Sequence, residues 1–226
     1  MLHPSRRLVL SLLAGTILAG PLAGAALAAE KPVLPVDEAK RDSALVKVIA
    51  ACVAAAKARN FRALAPHLAD KIELDYGGGH GVAEMGRRLA KSPQFWDEII
   101  WVLEHGGKFE KSGSFYAPYT FSADTGKLDV FESGVLVEKV KARAEPRPDA
   151  PVVAEFDRSV VKVVDWKHSE KNPTPFYRRT DWVAIELADK RKAWIPAKSV
   201  RSTVDFRAGF TKMRGVWKMT QFIAGD

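Results

Sequence analysis

Apolar positions along the chain repeat with two different periods, and the change of period divides it. Between residues 37 and 59, Ala44, Leu45, Val48, Ile49, Cys52, Val53 and Ala56 recur at three- and four-residue spacings, which predicts one face of a helix. Residues 61–68 predict a second, short helix with Pro66 and His67 near its end. Residues 71–76 alternate as a strand and stop at Gly77-Gly78-Gly79-His80-Gly81. Helices return over 82–90 and 93–104, the second carrying Phe95, Trp96, Ile99, Ile100 and Leu103, with Pro93 at its start and Gly106-Gly107 at its end. Residues 108–121 alternate loosely and finish in the aromatic run Tyr116 to Phe121, and Asp124-Thr125-Gly126-Lys127 reads as a turn.

From Leu136 onward the period is two. β-branched or aromatic runs at 136–143, 152–156, 160–164, 181–187 and 193–195 are separated by Pro-, Asp-, Asn- or Lys-rich punctuation. Five short strands at that spacing predict a small all-β barrel. Residues 203–212 and 216–223, joined by Met213-Arg214-Gly215, predict a hairpin with Phe206, Phe210, Trp217, Met219 and Phe222 on its buried side. The expected fold class is α+β: a helical N-terminal part with a small antiparallel sheet over 30–127, an all-β barrel over 128–202 and a C-terminal hairpin over 203–226.

The barrel segment carries Val140-Lys141-Ala142-Arg143, Pro146, Val152-Val153, Asp181-Trp182-Val183-Ala184-Ile185, and Ala193-Trp194-Ile195 followed by Val200. In order and spacing these positions resemble the bacterial SH3-like (Src homology 3 type) domain. Three departures are Glu145 and Ala193, where that family usually has glycine, and the polar insertion 167–180. The stretch Gly215-Val216-Trp217-Lys218-Met219-Thr220-Gln221-Phe222 is similar to the closing strands of nuclear-transport-factor-2-like folds, in which helices cover a curved sheet. That similarity implies that residues 37–121 and 203–226 form one unit with the barrel inserted. A helical domain followed by a barrel with an appended hairpin fits the same pattern.

Residues 1–29 read as a signal peptide: His3, Arg6 and Arg7 lead, residues 8–18 are apolar, and Ala26-Leu27-Ala28 is a small-residue cleavage site. Ser5-Arg6-Arg7-Leu8-Val9-Leu10 also resembles a twin-arginine export pattern, with an ordinary secretory signal as the other reading. A periplasmic or secreted protein is therefore expected, with no transmembrane segment in the mature chain. Cys52 is the only cysteine, so no intrachain disulfide can form.

Charge is uneven. Residues 30–136 carry 14 Lys and Arg against 15 Asp and Glu, net −1, whereas residues 137–226 carry 19 against 12, net +7. A basic second half suits anionic envelope partners or a solvated surface, and nucleic acid is not expected as a partner of an exported protein. The SH3-like resemblance implies attachment to peptidoglycan or to an envelope protein. Trp166, Phe176, Tyr177 and Trp182, with Arg178 and Arg179, are the candidate ligand-binding residues, because aromatic faces and guanidinium groups suit sugar, peptide and carboxylate contacts. A competing reading has Trp182 and Trp194 filling the barrel interior.

The expected function is that of a non-catalytic binding or adaptor protein. The alternative is a small-ligand pocket between the N-terminal helices and the sheet, and a cell-wall hydrolase is a third class. Cys52 falls on an apolar helix face, and His67, His80, His105 and His168 are scattered without metal-ligand spacing, so no catalytic residue, metal or cofactor is assigned. Gly77 to Gly81 could cradle an anion or form a positive-φ turn, with Asp75 and His105 as conceivable partners of His80.

Overall fold

The computed structural model describes residues 32–166 and 181–225. The targeting segment 1–29 and four of the expected binding residues, Phe176, Tyr177, Arg178 and Arg179, lie outside the described residues.

The helix expected over 37–59 is broken at Asp42. A 3-10 turn, Glu38–Arg41, precedes it and helix α1, Ser43–Lys57, follows. Asp42 is extended (φ −131°, ψ 104°), and its carboxylate accepts from the N–H groups of Ala44 (2.9 Å) and Leu45 (3.2 Å), a side-chain N-cap. The same carboxylate accepts from Trp217 Nε1 (3.0 Å) and Lys212 Nζ (3.1 Å). The Trp217 hydrogen bond, followed by the one from Lys212, holds this carboxyl down at about 2. A lowered native value adds stability that is present above the ordinary carboxylate range and is lost as pH falls toward about 2. Asp42→Asn is thus expected to melt at a lower temperature near neutrality, the gap to wild type closing on acidification. Melting curves recorded from neutral to acid pH check this, and a gap that does not narrow would refute it.

Helix α2, Phe61–Leu64, leads through a 3-10 turn into strand β1, Leu68–Glu73. Helices α3, Val82–Lys91, and α4, Gln94–Glu104, follow, then β2, Lys108–Phe109, and β3, Phe115–Ala117. The second half holds β4, Ser133–Leu136, β5, Lys139–Arg143, β6, Val152–Asp157, β7, Val160–Asp165, β8, Trp182–Glu186, β9, Lys192–Pro196, and β10, Val200–Ser202. The chain ends in β11, Arg207–Met213, and β12, Val216–Ile223. The protein is mixed α+β with two sheets. Among the described residues, no helix is long and apolar enough to cross a membrane.

The first sheet runs β1-β12-β11-β3-β2. It is mixed rather than antiparallel, because β1 lies parallel to β12, and the C-terminal hairpin supplies two of its inner strands. That hairpin begins at Arg207, since Asp205 N–H bonds back to the Ser202 carbonyl and makes residues 202–205 a turn. Leu45 and Cys52 of α1 and Ile99 of α4 share one buried cluster with Phe115, Phe210 and Phe222 of the sheet. Helices therefore cover one face of this sheet, and its interior is packed.

The second sheet runs β10-β4-β7-β8-β9-β5-β6, and a separate buried cluster includes Val163, Val183, Ile185 and Ile195. The expected barrel is not closed among the described residues: β10 and β6 are the ends of the order. The ladder is irregular at two places, Ala142/Arg143 between β5 and β6 and Val163/Asp165 between β7 and β8, and β5 meets β9 in register at Arg143↔Trp194. Trp182 and Trp194 do not fill an interior. They are half-buried and fall on the strand positions opposite Val183, Ile185, Ala193 and Ile195.

Between the two cores sits a buried charge cluster. Arg201 of β10 donates from Nη1 to Asp205 (2.5 Å) and to Glu98 of α4 (3.4 Å), while its guanidinium lies 3.3 Å from the centroid of Trp101. His105 stacks on the same indole, with 3.9 Å between the His105 and Trp101 centroids, and its Nδ1 donates to the Trp101 carbonyl (2.6 Å). Arg201 Nη2 is buried without a hydrogen-bond partner.

Candidate functional site

The outward face of β8 and β9 carries Trp182, one of the candidate ligand-binding residues, beside Trp194. Alternation sends Val183, Ile185, Ala193 and Ile195 into the second core, so Trp182, Ala184, Trp194 and Pro196 share the opposite face. Register then sets their neighbours: Trp182 pairs with Pro196, Ala184 with Trp194, and Trp194 with Arg143 of β5. Lys192 Nζ lies 5.6 Å from the Trp194 centroid, within cation–π range. Arg143 Nη1 donates to the Ala150 carbonyl (2.7 Å), which fixes the guanidinium. Two half-exposed indoles, a guanidinium and an ammonium thus lie on three adjacent strands. Such a row can stack on a sugar ring or proline and pair with a carboxylate.

Trp166 is placed differently. It follows β7, and its Nε1 donates to the Phe131 carbonyl (3.0 Å). Its ring lies against Gly134 on the side of Val163 and Val200, so it packs on the second core instead of joining Trp182 on the outward face. Of the expected binding residues within the described chain, only Trp182 is on that face. Trp194 and Arg143, which share that face, are not among the binding residues the sequence singles out. The alternation Ala193-Trp194-Ile195 offered two ways round, and the larger indole looked like the core member. Arg143 was read only as part of the strand pattern.

Other candidate groups are occupied structurally. At the glycine loop, Gly79 N–H donates to Asp75 Oδ1 (2.8 Å), and Asp75 pairs with Arg88, which also holds Glu84 (2.9 Å). A carboxylate thus stands where an anion would sit, and the Arg88 hydrogen bond keeps the Asp75 carboxyl below its ordinary range. Gly78 and Gly81 have φ of +93° and +94°, and a side chain at Gly79 would collide with both Asp75 and Arg88. His80 Nδ1 donates to the Gly78 carbonyl (2.7 Å), while His105 is stacked on Trp101. Cys52 is buried, and burial pushes its thiol up to about 12, which leaves it neutral and poorly nucleophilic. Among the described residues, no three His, Cys, Asp or Glu side chains converge as a metal site.

The first sheet keeps one further feature. On the face away from α1 and α4 lies a concavity of about 410 Å³, lined by residues of β1, β3, β11 and β12, among them Glu73, Tyr116, Thr211 and Gln221. Compared with protein-family models, curated proteins and solved structures, the chain matches none.

Proposed function

We propose that this chain is an exported, non-catalytic binding or adaptor protein, and that an SH3-like sheet holds cell-wall glycopeptide or a protein segment on its outward face. The observation that carries the proposal is the row Trp182, Trp194, Arg143 and Lys192 across β8, β9 and β5. The strands fix the spacing of the two indoles, so little side-chain entropy is lost on binding. The excess of positive charge over residues 137–226 would speed the encounter with an acidic polymer without supplying specificity.

The test is retention of the mature chain, residues 30–226, on purified peptidoglycan at low and at moderate salt. Retention is expected to survive moderate salt and to fall at least about fivefold in the Trp182→Ala/Trp194→Ala double variant, since each lost aromatic contact is worth roughly 0.5–1.5 kcal/mol. Trp182→Phe should keep most of it. Retention that disappears with salt in every variant would reduce the effect to surface charge. No retention at any salt would remove the wall polymer and leave a protein segment as the ligand.

A further inference from the structure

We propose that the helix-free face of the first sheet is a second binding site, and that its ligand is a short neutral saccharide. The proposal does not depend on the Trp182 face. It starts from the open face of the sheet, where a bulge in the β11–β12 ladder brings adjacent Thr220 and Gln221 together: Lys71 and Glu73 on β1, Thr220 and Gln221 on β12, Thr211 on β11 and Tyr116 on β3. A concavity of about 410 Å³ lies among them, which is the size of a small-molecule site rather than of a macromolecular interface.

Tyr116 is its platform. In the ladder Tyr116 pairs with Gly209 of β11, and a Cβ at Gly209 would stand 2.9 Å from Tyr116 Cε1 and 3.3 Å from Gln221 Oε1. The absent side chain lets the phenol ring lie down over the neighbouring strand, with Phe121 at its other side, 5.7 Å between centroids. A ring laid along a sheet presents a π-face, and the C–H face of a pyranose packs on such a surface.

The polar groups around it are mainly acceptors, with the exposed Lys71 ammonium as the donor-only exception. Thr220 Oγ1 donates to the Gly209 carbonyl (3.2 Å), so in the ladder Thr211 Oγ1 donates to Thr220 (3.3 Å) and Ser114 Oγ to Thr211 (3.1 Å). With those three protons committed, the hydroxyls still have lone pairs to offer. Gln221 Nε2 donates one proton to Glu73 Oε2 (2.8 Å), which leaves the second amide proton and the other carboxylate oxygen. A ligand rich in O–H donors, with one or two acceptors, answers that inventory. Charge narrows the class further. Asp70 and Glu73 outnumber Lys71 at this concavity, although the whole chain is +8, so phosphorylated, sulfated or carboxylated sugars meet like charge there.

The probes are maltotriose, cellotriose and chitotriose, with glucose 6-phosphate as the anionic comparison, titrated into the mature protein and followed by saturation-transfer NMR and calorimetry. At least one neutral trisaccharide is expected to bind with a Kd on the order of 1 mM. Tyr116→Ala should weaken that binding by about tenfold or more, and Tyr116→Phe should stay within about threefold. Gly209→Ala should also weaken it by lifting the ring, with melting curves checking that each variant is folded. Trp182→Ala/Trp194→Ala should leave it unchanged, which separates this site from the outward face of the second sheet. Absence of any neutral trisaccharide signal at about 20 mM, unchanged affinity in folded Tyr116→Ala, or tighter binding of glucose 6-phosphate would each overturn the proposal.

Discussion

Replacing Arg201 by alanine is expected to lower the unfolding free energy by about 3–5 kcal/mol, the range for removing one partner of a buried ion pair. The Arg201 side chain is 5% exposed and that of Asp205 is 12% exposed, so neither charge is shared with bulk water. Alanine would leave Asp205 buried without its guanidinium and strip the cation from the face of Trp101. It would also remove the charge that partly offsets the burial of Glu98. That burial, with Asp205 and Asp97 adding to it and Arg201 opposing it, pushes the Glu98 carboxyl up to about 8. The other titratable group packed here, His105, is lowered by its own burial and stays neutral near pH 7.

A raised native carboxyl has a definite sign. Between the ordinary glutamate value and about 8, the folded chain keeps a proton that the unfolded chain gives up, so this group's contribution is complete below that window and falls as pH rises. The slope is about 1.4 kcal/mol per pH unit while the two states differ by one proton. Glu98→Gln is neutral at every pH and should abolish that slope, gaining most over wild type at the alkaline end. In Arg201→Ala the slope should continue to higher pH, because the opposing cation is gone. Urea unfolding at several pH values between about 5 and 9 measures all three proteins. An Arg201→Ala cost below about 1 kcal/mol, or an unchanged slope in Glu98→Gln, would mean that water reaches the cluster.

Why this cluster escaped the sequence is clear from its parts. Arg201 lies in a basic half where most cations are solvated, and its partner Glu98 is 103 positions away on a helix. Charge counts cannot tell a buried arginine from an exposed one. The helical periodicity of residues 44–56 was legible because seven apolar residues share one pattern, yet the break at Asp42 was not, because its cap is completed by Trp217 and Lys212 from the far end of the chain. Strands β6 to β9 were legible to within about a residue at each end, whereas the run 136–143 is split into β4 and β5, and β10 was not read. The failure of the second sheet to close into a barrel was not legible, since the strand order is set by partners distant in sequence, such as β10 with β4. For the candidate ligand-binding site, the face on which Trp182 and Trp194 lie was not legible. Alternation alone cannot decide which of two apolar faces is outward. Gly209 was a signal that could have been used: an isolated glycine inside a strand pattern marks the close approach of another group, here the Tyr116 ring.

Phe210→Ala is expected to cost about 3–5 kcal/mol, the usual penalty for emptying an aromatic site in a packed core. Phe210 is fully buried on β11, pairs in register with Phe115 of β3 and with Met219 of β12, and belongs to the cluster that includes α1 and α4. Its neighbours come from sequence positions as distant as Leu45, so little of the void could close by local collapse. The same geometry makes a stronger prediction for truncation. Without residues 207–226, β1 loses its partner β12 and β3 keeps only the two-residue strand β2. Helices α1 and α4 would then face no sheet, and isolated helices of 15 and 11 residues are marginal in water. A chain ending at Phe206 should therefore lose much of its helical circular dichroism along with its strands. An appended hairpin would leave the helical signal and its cooperative melt intact, and that outcome would contradict the sheet order β1-β12-β11-β3-β2. Ile185→Ala, in the core of the second sheet, serves as the control: it should destabilise by about 2–5 kcal/mol without dismantling α1 and α4.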